Sequence, residues 1–182
     1  MGDSNMIKKN TRRNSKLVQD EVIECLLEDP TVSVGEMAKK LKSYRQGVWR
    51  RKKQFEDDGI IWGYTAVIDE KMLGHIMYLV LMKTKPMSRG LADLLIERIN
   101  KEIARKLDVR LTDLWYVNGE FDWVMRFSAP NHSTARRYYD TLRVVFEEYL
   151  LEKPVIVDVN FCLVAEGKNN PKIQELYDFA AK

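Results

Sequence analysis

Cysteine, histidine and long apolar runs are all scarce in this chain. Cys25 and Cys162 stand far apart in no metal-like spacing, which suits two small buried apolar side chains in a reducing compartment rather than a disulfide framework. The only histidines, His75 and His132, have no Cys or acid beside them at ligand spacing, so no zinc site is expected. His132 instead falls at a helix start, behind Asn131 as a natural N-cap. The longest apolar run, Ile76 to Met82, is far too short to cross a bilayer, and the basic N-terminus lacks the apolar stretch of a secretory signal. A cytoplasmic location without a membrane partner is expected. No G-x-S-x-G, phosphate loop or dinucleotide fingerprint occurs, and the adjacent Glu147 and Glu148 point in different directions on a helix. No catalytic group, no cofactor and no metal site is therefore expected, and the chain does not read as an enzyme.

The chain does contain enough apolar residues for a core: 45% of its 182 residues are hydrophobic and 31% charged, which suits one domain or two small ones. A net charge of +3 says little about partners, but its placement does. Residues 39–53 hold eight Lys/Arg and no Asp or Glu. A solvated, salt-bridged helix face would interleave its signs, so this run favours contact with nucleic acid.

Residues 1–15 read as a basic, flexible arm, able either to touch phosphate or simply to solubilise. From Leu17 to Leu27 apolar residues recur at helical spacing, and Asp29-Pro30 ends that helix. Ser33 and Glu36 form a capping-box signature that opens a second helix, with Met37, Ala38 and Leu41 inward. Ser43 is the expected N-cap of a third helix that runs to about Asp58 and stops at Gly59. Residues 60–68 are β-branched and aromatic and read as a linking strand, followed by a short connection to 74. Three short helices, the last two joined by a tight turn and followed by a strand, predict a winged-helix-like helix-turn-helix over 16–59. Val48 and Phe55 would hold its third helix to the core, with Trp49 helping to bury it. Tyr44, Arg45, Gln46 and Arg50 lie where side chains reach bases, Gln46 suiting adenine and Arg45 or Arg50 guanine; Arg51, Lys52 and Lys53 would track phosphates of double-stranded DNA, and Ser43 and Trp49 are further candidate DNA-binding residues.

Beyond residue 74 the pattern changes. Strands are expected at 75–84, 109–117, 123–128 and 155–163, with helices at 88–106 and 131–151. That order is βαββαβ, a ferredoxin-like domain over 75–164 in an α+β chain. Helices would cover one face of the sheet; a second copy of the chain would cover the other, making a homodimer. Residues 165–182 add a polar loop and a helix. Met77, Met82 and Met125 suit core or dimer packing. Trp115 and Trp123 flank the turn at 118–122, where sheet packing and pocket lining are both open.

The stretch SVGEMAKKL, and above all the run G-I-I-x-G-Y-T-A from Gly59, resembles the DNA-binding domain of the Lrp/AsnC (leucine-responsive, or feast/famine) family of transcription regulators. The stretch Asn118 to Phe127 resembles the G-x-x-D turn of that family's βαββαβ effector domain, called RAM. The resemblance spans about residues 17–163 and implies a DNA-binding regulator that dimerises through its sheets, in some members assembles to tetramers or octamers, and binds an amino acid near the turn. The candidate effector residues it implies are Asn118, Gly119, Glu120, Phe121 and Asp122, the carboxylate for an ammonium and the turn N–H groups for a carboxylate. Gly119 and Asp122 can equally be a plain β-turn. Three departures stand out: Lys52 where members carry an aliphatic residue, with Trp49 able to supply the bulk; a long helix at 88–106; and the added tail. Two rivals remain: an architectural DNA-binding protein without an effector, and a haem-pathway decarboxylase on the same scaffold, which two scattered histidines disfavour.

Overall fold

The computed structural model describes residues 20–181, which divide into two compact units meeting at residues 66 and 67. The basic arm expected over 1–15 and the helix start at Leu17 lie outside the described residues.

The first unit is a three-helix cluster. Helix α1 (Glu21–Glu28) begins at Asp20, whose carboxylate accepts from the Val22 amide at 3.0 Å and so satisfies one orphan N–H of the first turn. Helix α2 (Val34–Lys40) opens with the expected capping box: Ser33 Oγ accepts from the Glu36 amide at 3.2 Å, and Glu36 accepts from the Ser33 amide at 2.9 Å. These bonds hold the exposed Glu36 carboxyl below its ordinary pKa. Helix α3 (Arg45–Asp57) is the basic one. Val22, Cys25, Met37, Ala38, Val48 and Phe55 close the core between the three helices. Two expectations at α3 are corrected. Its N-cap is Tyr44, which makes no side-chain capping bond; Lys42 turns through the left-handed region (φ 48°) and the Ser43 amide donates to Ala38 O at 2.9 Å, so Ser43 still belongs to the close of α2. Trp49 does not bury the helix either, being 55% exposed.

Residues 60–68 are not a strand, since they join no ladder among the described residues. A strand needs a neighbour to take its N–H and C=O groups. Ile61 packs back on the helical core, while Trp62 is 97% exposed.

The second unit carries the ferredoxin-like order. Strands β1 (Ile76–Met82), β2 (Arg110–Tyr116), β3 (Trp123–Ala129) and β4 (Val155–Asp158) form one antiparallel sheet in the order β2-β3-β1-β4. Helices α4 (Arg89–Asn100), the four-residue α5 (Ile103–Lys106) and α6 (His132–Val145) complete βαββαβ. Alternation sets the two faces. Tyr78, Val80, Met82, Trp123, Met125 and Phe127 turn inward, against Leu91 of α4 and Ala135, Tyr138, Tyr139 and Leu142 of α6. Burial pushes the Tyr138 hydroxyl up to about 12. Asn131 caps α6 as expected, its side chain accepting from the Thr134 amide at 2.8 Å, and His132 Nδ1 lies 2.8 Å from the Tyr78 hydroxyl.

On the opposite face the register aligns Val155, Leu81, Val124 and Trp115 in one row and Val157, Leu79, Arg126 and Asp113 in the next. Arg126 ion-pairs with Asp113 and, at 3.0 Å, with Glu166 of the tail.

Three expected elements differ. The long helix at 88–106 breaks at Glu102, which sits in the left-handed region (φ 49°), so Ile99 and Ile103 leave the core. The fourth strand stops at Asp158 rather than 163. The tail forms a two-residue hairpin, Val164–Ala165 with Lys168–Asn169, and a 3-10 stretch, Ile173–Phe179, instead of an α-helix. Both thiols are free; Cys25 is buried, but Cys162 is half-exposed. Among the described residues no helix is long and apolar enough to cross a membrane, and no three His, Cys, Asp or Glu side chains are placed to hold a metal.

Candidate nucleic-acid interface and effector turn

Helical geometry sorts the basic run on α3. At about 100° per residue, Val48, Phe55, Arg51 and Lys52 fall on the inward side, while Arg45, Gln46, Trp49, Arg50 and Lys53 share one outward sector. The structure follows this division. Val48 and Phe55 are buried. Arg51 bends to the buried Asp20 and lies 5.7 Å from the centre of the Phe55 ring. Lys52 pairs with Glu56 at 3.3 Å and lies 5.0 Å from the Tyr64 ring, whose hydroxyl donates to Glu56 at 3.0 Å. Tyr64, not Trp49, thus covers the lysine that stands where an aliphatic residue was expected.

Four of the eight basic residues in 39–53 are held by carboxylates within the unit. Besides Arg51 and Lys52, Lys40 pairs with Glu28 and Lys53 with Asp57, the latter at 2.7 Å. Compensating charge is therefore present, supplied by Glu56 and Asp57 just after the run and by Asp20 and Glu28 from the first helix. Lys53–Asp57 is exposed and weak, so Lys53 stays available to a stronger anion. Arg45, Gln46 and Arg50 are exposed and have no hydrogen-bonding or ionic partner among the described residues. Tyr44, 89% exposed, stands at the head of the helix, next to Ser43. The donors that match guanine, adenine and phosphate thus cluster on the first two turns of α3, with Trp49 between them.

The turn at 118–122 has its own contacts. Asp122 Oδ2 accepts from the Thr84 amide at 2.7 Å, and the Asp122 amide donates to Met82 O at 3.0 Å, tying the end of β1 to the β2–β3 hairpin. Glu120 meets Lys83 at 3.3 Å; Lys83 also meets Glu152 at 2.9 Å and lies 5.4 Å from the Phe121 ring. These two carboxylates raise the Lys83 ammonium above its ordinary pKa. Asn118 and Gly119 are exposed, and a Cβ built on Gly119 would meet nothing within 4 Å. Trp115 is exposed on the helix-free face of the sheet, whereas Trp123 is buried against Tyr116, ring centres 4.8 Å apart. Lys83, Thr84 and Glu152 could not be read from sequence, since only strand pairing brings them to the turn.

Comparison with known proteins agrees with this geometry. The winged helix-turn-helix DNA-binding family matches residues 19–61. An uncharacterised HTH-type transcriptional regulator of Pyrococcus furiosus is 31% identical over 105 residues, covering 58% of this chain and 66% of that protein, just under two thirds of its length. Among solved structures, the feast or famine regulatory protein of Mycobacterium tuberculosis, complexed with L-methionine, matches with a TM-score of 0.63 at 16% identity, covering 83% of this chain and 95% of that one. An AsnC-family transcriptional regulator of Agrobacterium tumefaciens matches with a TM-score of 0.58 at 17% identity, covering 88% and 96%. Residues 19–61 thus match the winged helix-turn-helix DNA-binding class. The chain as a whole has the fold of the Lrp/AsnC regulators.

Proposed function

We propose that the chain is a sequence-specific regulator whose α3 reads base edges with Arg45, Gln46 and Arg50, while Tyr44, Trp49 and Lys53 make flanking contacts. The observation that carries this reading is the outward sector of α3, where these groups stand exposed and Arg45, Gln46 and Arg50 are unpaired among the described residues. Recognition by a homodimer is supported by the apolar side chains on the helix-free face of the sheet, Leu79, Leu81, Val124, Val155 and Val157, which a second copy would cover. Two recognition helices about one helical turn apart would favour a pseudo-palindromic site.

An amino-acid effector is supported by the methionine complex of the Mycobacterium protein. At the 118–122 turn, Asp122 keeps its Oδ1 for an ammonium while Oδ2 stays with Thr84, and the exposed N–H groups beside Gly119 would hold a carboxylate.

Selection of genomic DNA fragments at two salt concentrations tests the DNA reading. A sharp palindromic motif is expected that survives the higher salt and is lost, or weakened about tenfold or more, in Arg50→Ala and Gln46→Ala. Diffuse recovery that collapses with salt would instead make the chain an architectural binder that holds phosphate.

A further inference from the structure

The last turn of α3 is not stabilised by its own charges. It carries Glu56 and Asp57 and no basic residue, so two carboxylates meet the negative end of the helix dipole. Lys52 and Lys53, which pair with them, stand four residues earlier, the less favourable order for a helical ion pair. Chain from beyond the helix supplies the rest. The amides of Ile60 and Ile61 both donate to Phe55 O, at 2.9 and 3.1 Å, past Gly59 in the left-handed region (φ 68°). Ile61 packs on the helical core. Three residues on, Tyr64 returns to the same turn: its hydroxyl donates to Glu56 and its ring covers the Lys52 ammonium. The Tyr64 bond, ahead of the Lys52 charge, holds the Glu56 carboxyl below its ordinary pKa.

Tyr64 is also the last fastening of the linker to the first unit. Trp62 and Gly63 before it are exposed, as are Thr65, Ala66, Val67 and Ile68 after it. Among the described residues none of these last four has a hydrogen bond or ion pair to α1, α2 or α3; the Thr65 hydroxyl reaches only Ala66 O, at 3.5 Å. The next fixed point is Asp69, whose carboxylate accepts from the Lys71 amide at 3.1 Å within the second unit. With Tyr64 fastened, the free tether is residues 65–68, at most about 14 Å when fully stretched. With Tyr64 released it is residues 62–68, at most about 25 Å.

We propose that Tyr64 is a specificity-determining residue that fixes which spacing of DNA half-sites the protein accepts. It acts as a positioning residue, through the tether rather than through contact with bases. Fastening residues 62–64 to the end of α3 shortens the reach of each recognition helix by about 10 Å, and of the two in a homodimer by about 20 Å. Five base pairs inserted between half-sites move them about 17 Å apart and turn one by half a helical turn. The fastened tethers are too short to follow that change, and the released ones are long enough. The spacing rule rests on the homodimer reading, whereas the fastening of Tyr64 does not.

The test measures affinity of the full chain, as wild type, Tyr64→Ala and Tyr64→Phe, for a selected palindromic site, for that site with five base pairs inserted at its centre, and for a single half-site. The insertion should cost the wild type at least tenfold and Tyr64→Ala at most threefold. Tyr64→Phe, which keeps the ring over Lys52 and loses the bond to Glu56, should fall between. Affinity for the single half-site should stay within twofold in all three. In parallel, NMR relaxation should find the amides of 62–64 as rigid in the wild type as those of α3, with order parameters near 0.85, and below about 0.6 in Tyr64→Ala. An equal cost of insertion in wild type and Tyr64→Ala overturns the proposal, and so do wild-type amides of 62–64 as mobile as those of 65–68. A half-site affinity that falls in Tyr64→Ala as far as the affinity for the whole site also overturns it, since Tyr64 would then only support α3. A wild-type chain that binds as a monomer, with 62–64 rigid, defeats the homodimer reading and the spacing rule together and leaves the fastening standing.

Discussion

Arg50 and Arg51 are neighbours of the same type with opposite tasks, and the difference is one step of helical rotation. Arg50 falls in the outward sector of α3; Arg51 falls inward and neutralises Asp20, a carboxylate only 6% exposed that also caps α1. Removing Arg51 leaves a buried carboxylate with its capping bond alone. Arg51→Ala is therefore expected to destabilise the first unit by about 1–3 kcal/mol, read as a lower melting temperature, while the protein that remains folded binds a selected operator normally. Arg50→Ala should do the reverse, leaving the melting temperature unchanged while operator affinity falls. Equal effects of the two variants on both readouts would contradict this assignment. The helical arithmetic that separates them was available in the sequence. Asp20 as the partner was not, because it stands on a different helix.

At the scale of elements, local signals were legible wherever bonding partners lay within a few residues. Ser33 with Glu36 and Asn131 with Thr134 bond over three positions, reciprocally in the first pair, and both caps form as expected. Ser33→Ala should cost about 1 kcal/mol, measured by denaturant titration, with an unchanged dependence on denaturant concentration. The Glu36 carboxyl, held below its ordinary pKa by the same box, adds stability that is present above its unfolded pKa and lost as pH falls through the depressed folded value. That acid dependence should shrink in the same variant. Expectations failed where an element needed something distant. Residues 60–68 have strand composition but no neighbour to pair with, and the helix at 88–106 breaks at Glu102 despite favourable spacing on both sides. Ser43 was expected to cap α3, yet the helix begins one residue later, at Tyr44, and the Ser43 amide closes α2 beyond the left-handed turn at Lys42.

Across the whole molecule, the helix-free sheet face of the second unit is the largest consequence of the topology. Leu79 and Leu81 sit at its centre, flanked by Val124, Val155 and Val157. If a second copy covers this face, Leu79→Asp places a charge in the contact and should shift the protein from dimer to monomer in sedimentation at micromolar concentration, with loss of binding to a palindromic site. A monomeric wild-type chain, or a variant that stays dimeric, would rule out the face as the contact. Arg126 lies in the same rows, already neutralised by Asp113 and Glu166, so the tail brings its own charge to this surface.

The sequence by itself determined the two kinds of unit, the order βαββαβ, the inward faces of the strands and the basic character of α3. Each of these follows from periodicity and composition, which act along the chain. Lys52–Glu56 and Lys53–Asp57 are four apart on one helix and follow from spacing, but only the tertiary structure decided that Asp20 and Glu28, on another helix, take Arg51 and Lys40. It likewise decided that Asp122 spends one oxygen on the end of β1. Pairings between elements depend on separation in three dimensions, and the spacing of residues along the chain does not fix that separation.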